Sequence, residues 1–203
     1  MRIGIDFDNT LIDYDRVFVE AARERGLLPG DFSGSKRLVR DAIRLMPDGE
    51  VIWQRLQGFV YGAGISGAVP MPGSREFLRR CGRERVSVSV VSHKTQFGHY
   101  DPLRVDLREA ARHWMAAQGF FDGDLGGIPA NQVFFEDDRA KKLARIAALD
   151  CTHFVDDLEE IFADPRFPAG VQRILFAEAG ADCCDSHCTD WQQITAAVFG
   201  NDG

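Results

Sequence analysis

The chain has 203 residues, 24 of them basic and 31 acidic, for a formal net charge of −7. That length holds one medium domain, or one domain carrying a small insert. A composition with 45% hydrophobic and 27% charged residues can bury a sizeable core, which excludes disorder and collagen-like repeats. The acidic surplus gives no general attraction to polyanions, so neither nucleic acid nor a membrane surface is expected as a partner. No apolar run approaches the ~18 residues of a membrane span. The amino-terminal Met1-Arg2-Ile3-Gly4-Ile5-Asp6 reaches a carboxylate too early for a secretory signal, and a cytoplasmic location is expected.

Short apolar runs alternate with longer helical patterns, the order that builds a parallel sheet with crossover helices, so the fold class is α/β. The strands are predicted at Arg2 to Asp6, Val86 to Val91, Val133 to Phe135, His153 to Val155 and Arg173 to Phe176. Helices are predicted at Ser74 to Arg80, Leu103 to Gln118 and Arg139 to Leu149, covering the two sheet faces. The stretch from Tyr14 to Val69 has helical patterns but no convincing strand, and reads as an inserted helical cap with its own apolar and aromatic residues. The expected organisation is therefore a Rossmann-like three-layer core over 1–13 and 70–180, a cap over 14–69, and a tail over 181–203 that ends in a short helix, Trp191 to Phe199.

In an open parallel sheet, reactive groups collect at the carboxyl ends of the strands. The first run ends in Asp6-Phe7-Asp8-Asn9-Thr10. Two carboxylates at i and i+2 can project to the same side, one to bind a hard cation or attack phosphorus, the other to donate and withdraw a proton. An acidic turn that merely ends a strand is the plainer alternative. The second run ends in Ser92-His93-Lys94-Thr95, whose hydroxyl, backbone N–H groups and cation can cradle a phosphate, or else form an ordinary polar loop. The fourth ends in Asp156-Asp157, which could complete an oxygen shell for Mg²⁺ with Asp6, or simply cap a helix. Lys141 and Lys142 begin the helix leading into that strand, where a buried lysine would neutralise phosphate charge.

In that order, Asp6, Asp8 and Thr10, then Ser92, then Lys142 or Lys141, then Asp156-Asp157, resemble the four motifs of the haloacid dehalogenase superfamily over roughly residues 1–180. The resemblance implies a magnesium-dependent phosphatase acting on a small phosphorylated metabolite. Asp6 would be the nucleophile that becomes a phosphoaspartate, and Asp8 the general acid and base. Thr10, Ser92, His93 and Lys142 would form the phosphate-binding set. Asp6, Asp8 (through its backbone carbonyl), Asp156 and Asp157 would hold the metal. A phosphotransferase to another acceptor and a non-catalytic binder of a phosphorylated ligand are the alternatives. An acid at position 8 is what true dehalogenases lack, and it argues for phosphoryl transfer.

Three further patterns are informative. All but four of the basic residues are arginine, so the lysines at 36, 94, 141 and 142 stand where a compact ammonium is wanted. The five cysteines are expected to be reduced, and Cys183-Cys184-Asp185-Ser186-His187-Cys188 reads either as a surface turn or as a zinc site with too few residues to close a tetrahedron. Arg37, Arg40 and Arg44 fall on one face of a cap helix, with Leu38, Ala42 and Ile43 on another; the stripe is either a solvated face or a reader of a second anionic group on the substrate.

Overall fold

The computed structural model describes residues 1–123, 126–177 and 183–200. The chain divides into two compact units, one built from Met1–Ile12, Pro70–Lys94 and Gln118 onward, the other from Asp13–Val69 and Thr95–Ala117.

The first unit is a six-stranded sheet in the order β5-β4-β1-β6-β7-β8. Its strands are β1 (Arg2–Ile5), β4 (Ser87–His93), β5 (Val133–Glu136), β6 (His153–Asp156), β7 (Gln172–Phe176) and β8 (Ser186–Cys188), and every neighbouring pair is parallel; β2 (Ile12–Asp13) and β3 (Val69–Pro70) pair as a separate two-stranded sheet. Strand β1 is central, pairing Ile3 with Val88 on one side and with His153 on the other. Ile3 and Ile5 are buried, as a strand covered on both faces requires. Gly4 is dictated by packing: a Cβ there would lie 2.4 Å from the Phe154 ring.

The chain leaves β1, builds outward through β4 and β5, then returns to the opposite side of β1 with β6 and continues outward. That reversal of direction is the topological switch point, where loops at the strand carboxyl ends part and leave a crevice. Helices α4 (Ser74–Arg83), α6 (Arg139–Ala148), the short α7 (Glu159–Phe162) and α8 (Trp191–Phe199) complete this unit. Helix α6 starts at the Asp138 cap, whose carboxylate accepts the Lys141 amide, and buries Lys142, Leu143 and Ile146.

In the segment expected as a tail over 181–203 the short helix forms where expected, as Trp191–Phe199, and a strand that was not expected precedes it. Ser186–Cys188 forms the sixth strand, with Ile174 opposite Ser186 and Phe176 opposite Cys188, and Trp191 is one of the largest fully buried side chains. A strand of three residues within a cysteine-rich run has too short a pattern to be read as one. Among the described residues no group of three metal-ligating side chains includes a cysteine.

The second unit contains α1 (Asp15–Glu24), α2 (Lys36–Arg44), α3 (Gly49–Tyr61) and α5 (Leu107–Ala117). Its core is aromatic: Phe18 stacks on Trp53 with centroids 5.0 Å apart, and Tyr14 meets Tyr61 edge-on at 4.9 Å. Helix α5 corrects the expectation that Leu103 to Gln118 covers the sheet. It packs instead against α3 and the turn at Ile65–Gly67, and Trp114 donates its indole N–H to the Ala68 carbonyl at 3.0 Å. The loop before it seats Gly98 so closely on α3 that a Cβ there would lie 2.6 Å from the Gly58 Cα. Amphipathic periodicity shows that α5 has a buried face; it does not show which partner buries it.

On α2 the arginine stripe lies on a solvent-accessible face, and only the placing of Leu38 on the apolar face is corrected. Val39 and Ile43 form the buried face, while Leu38 is exposed. Arg44 makes a two-point contact with Glu50 at 2.7 and 3.3 Å, Arg40 lies 2.9 Å from Asp41, and Arg37 lies 3.9 Å from the same carboxylate. The stripe is charge-compensated by acids of its own unit. Among the described residues no helix is long and apolar enough to cross a membrane.

Candidate functional site

The end of β1 delivers Asp6, whose amide donates to the Val155 carbonyl at 2.9 Å. This prolongs the β1–β6 ladder and fixes where the side chain emerges. Beyond it the chain turns sharply, with the Leu11 amide donating to the Phe7 carbonyl at 3.0 Å and Asn9 in the left-handed region at φ 59°, a conformation asparagine tolerates better than most residues. Phe7 turns inward and is fully buried, so Asp6 and Asp8 emerge on the other side.

Lys142 reaches this end from α6. Its Nζ lies 2.6 Å from Asp6 Oδ1 and 2.6 Å from Asp156 Oδ2, and the residue is only 1% exposed. Burial opposes the charge of this ammonium, but Asp156 and Asp6 outweigh it and raise its pKa. Asp156 is completely buried. Burial pushes its carboxyl up to about 7, against the pull of Lys142. Its second oxygen accepts the Leu158 amide at 3.0 Å, which fixes the turn after β6. The neighbouring lysine has the other fate: Lys141 is exposed and bonds Asp137 at 2.5 Å.

Asp6, Asp156 and Asp157 each offer a carboxylate oxygen within 4.8 Å of the others. Asp157 Oδ2 also accepts from Asn9 Nδ2 at 3.0 Å. The second lysine of the site comes from the tip of β4. Lys94 is 3% exposed and places Nζ 2.9 and 2.8 Å from the two carboxylate oxygens of Asp8. Its amide donates to the Glu136 carbonyl at 2.9 Å, extending the β4–β5 ladder past the strand end. Ser92 is buried, while His93 between them is exposed, as alternation along a strand demands. Thr10 is fully buried and its hydroxyl finds no hydrogen-bond partner among the described residues.

Asp6, Asp8, Asp156 and Asp157 bring four carboxyl groups together with Lys94 and Lys142 in a site whose residues are mostly buried. Such a set of hard oxygen donors suits a divalent cation of the magnesium type.

No family model and no curated protein sequence matches the chain. Solved structures do. The protein tyrosine kinase A of Mycobacterium tuberculosis superposes with a TM-score of 0.64 at 14% identity, over 98% of this chain and 97% of that one. A haloacid dehalogenase-like hydrolase from Streptococcus pneumoniae gives 0.60 at 14%, over 97% of each chain. A hydrolase of that family from Deinococcus radiodurans, solved with bound phosphate and sodium, gives 0.55 at 14%, over 97% of this chain and 94% of that one. This is the fold of the haloacid dehalogenase superfamily.

Within this haloacid dehalogenase fold the structure brings Asp6, Asp8, Asp156, Asp157 and Lys142 to one end of the sheet, with Ser92 at the tip of the adjacent strand. The sequence reading assigned no role to Asn9 or to Lys94 as a partner of Asp8. The scarcity of lysine was the available signal for Lys94: in an arginine-rich chain, two of the four lysines are buried against carboxylates here.

Proposed function

We propose that this chain is a magnesium-dependent phosphatase of the haloacid dehalogenase superfamily, hydrolysing a small phosphorylated metabolite in the cytoplasm. The observation that carries this reading is the Lys142 bridge between Asp6 and Asp156, with Asp157 in reach. Lys142 occupies Oδ1 of Asp6, which orients the carboxylate and leaves Oδ2 for attack on phosphorus.

In the first step that oxygen bonds to phosphorus, the ester P–O bond breaks, and Asp8, which has taken up a proton from solvent beforehand, gives that proton to the departing oxygen. In the second, Asp8 withdraws a proton from water as the water oxygen bonds to phosphorus. The bond between phosphorus and Asp6 breaks and inorganic phosphate leaves. Ser92, His93 and Lys142 are assigned to the phosphate, and Thr10 to supporting the Asp6–Asp8 loop. Asp6 and Asp157, with Asp156 and the backbone carbonyl of Asp8, are assigned to magnesium, which when bound offsets the negative charge that otherwise repels a phosphate dianion from a carboxylate. The helical unit is assigned the part of a cap that governs substrate choice.

Magnesium-dependent release of phosphate from p-nitrophenyl phosphate, lost in Asp6→Asn, tests this reading. No release from any member of a panel of sugar, nucleotide and acid phosphates would refute it. One observation favours phosphotransfer to a different acceptor: a structural neighbour is named a protein tyrosine kinase. Comparing products with and without acceptors separates transfer from hydrolysis.

A further inference from the structure

We infer that Lys94 is a positioning residue for Asp8, acting on catalysis through that carboxylate and not through the phosphate. The inference rests on the proposed phosphatase reading and deepens it.

Three observations converge on it. The contact is two-point: both Asp8 oxygens lie within 2.9 Å of Nζ. A carboxylate held at both oxygens by one donor is set in χ2 by that donor, and a buried, immobile donor holds the setting when one contact is given up. The donor is itself immobile. Lys94 is 3% exposed, its amide is tied to Glu136, and its ammonium lies 5.5 Å from the centroid of the Phe7 ring, within the range of a cation–π attraction. Phe7 is the residue between the two aspartates, so Lys94 touches the Asp6–Asp8 loop at a side chain and at a ring.

The third observation is the division of labour between the buried lysines. Lys142 is engaged by Asp6 and Asp156, the groups assigned to phosphorus and metal, whereas the carboxylate paired with Lys94 belongs to the residue assigned to the leaving group. A proton donor works only when aimed at the departing oxygen, and small misplacements cost large factors in rate. Lys94 supplies that aim. When Asp8 takes up the proton that it will donate, the oxygen bearing that proton gives up its Nζ contact, while the other oxygen keeps its own and with it the orientation.

The test is a double-mutant cycle on purified protein, using an alkyl phosphate whose poor leaving group needs protonation. Lys94→Met should lower kcat by roughly tenfold or more while KM changes by less than about twofold. In the Asp8→Asn background the same substitution should produce no further loss, because its effect runs through the carboxylate. An equal loss in both backgrounds, or a rise in KM in place of a fall in kcat, would overturn the inference and make Lys94 a phosphate contact. Lys94→Gln, shorter and uncharged so that the two-point ionic hold on Asp8 is lost, replaces Lys94→Met in the cycle with the same expected outcomes if melting shows that the latter fails to fold. If the wild type hydrolyses no phosphate ester with Mg²⁺, the phosphatase reading falls. Lys94 is then judged by the crystal structure of the variant, in which Asp8 turned from its place upholds the positioning role and Asp8 unmoved rejects it.

Discussion

Trp191, on the last helix, donates its indole N–H to the backbone carbonyl of Thr10 at 3.1 Å. The contact ties the carboxyl-terminal segment to the loop that carries Asp6 and Asp8. Trp191 is 1% exposed and its ring lies 5.0 Å from Phe77 and 6.2 Å from Phe176. Trp191→Phe keeps most of the apolar contact but leaves a buried carbonyl without its donor, a loss of about 1–3 kcal/mol. Urea unfolding should show a lower midpoint at unchanged slope. A midpoint equal to that of the wild type would mean that the Thr10 carbonyl is satisfied by other means.

The adjacent lysines provide a contrast within one helix turn. Lys142→Ala strands Asp6 and Asp156 as buried carboxylates with no cation, a class of change that costs about 3–5 kcal/mol. Lys142→Met, which fills the volume, should remain just as inactive. Lys141 is exposed, and Lys141→Ala should leave both melting temperature and turnover unchanged. Loss of activity in Lys141→Ala with retention in Lys142→Ala would contradict the assignment of Lys142 to the phosphate.

How much of this was legible in the sequence depends on where each residue's partners lie. β1, β6 and the Asp6-Phe7-Asp8 turn were legible because a buried strand is a local apolar run and its end is marked by polar residues. β8 was not, since three residues carry no period and the strand exists only because β7 offers it an edge. The Lys94–Asp8 pair joins positions 86 residues apart, and no local pattern encodes it. For the arginine stripe, spacing alone placed the three guanidinium groups on a face, but Glu50, which answers one of them, comes from the next helix and was not legible.

Asp8→Asn separates proton transfer from phosphoryl binding. An amide cannot donate the proton that an alkoxide leaving group needs, so hydrolysis of an alkyl phosphate should fall by about 100-fold or more. An activated aryl phosphate, whose leaving group departs unaided, should lose far less in its first step. Steady-state and burst kinetics on both substrates check this, and the same loss on both would remove Asp8 from the role of acid.

The cysteines give a prediction that is independent of catalysis. Burial pushes the Cys81 thiol up to about 12 and the Cys151 thiol up to about 11. At pH 8 both are thiols, not thiolates, and are sealed in the core. Iodoacetamide should spare them in the native protein and modify all five cysteines in denaturant, as read by mass spectrometry. Native-state labelling of Cys81 or Cys151 would mean that the core around them opens.

Magnesium itself can be tested without turnover. Asp6, Asp156 and Asp157 crowd three carboxyl groups within 4.8 Å of one another, which works against the folded state, and a divalent cation that binds only the folded protein relieves that crowding. At a hundredfold excess over its dissociation constant, such an ion stabilises by about 2.7 kcal/mol. For a chain of this size that amounts to a rise in melting temperature of roughly 5–10 °C. Calcium competes for the same oxygens but accepts a looser shell, so both ions should shift the melt while only magnesium supports turnover. Asp157→Asn withdraws one donor while leaving the Lys142 bridge intact, and should abolish the shift without unfolding the protein. A wild-type melt that is identical with and without magnesium would show that the three carboxylates hold no ion, and the reading of the site as a metal-dependent phosphatase would fall with it.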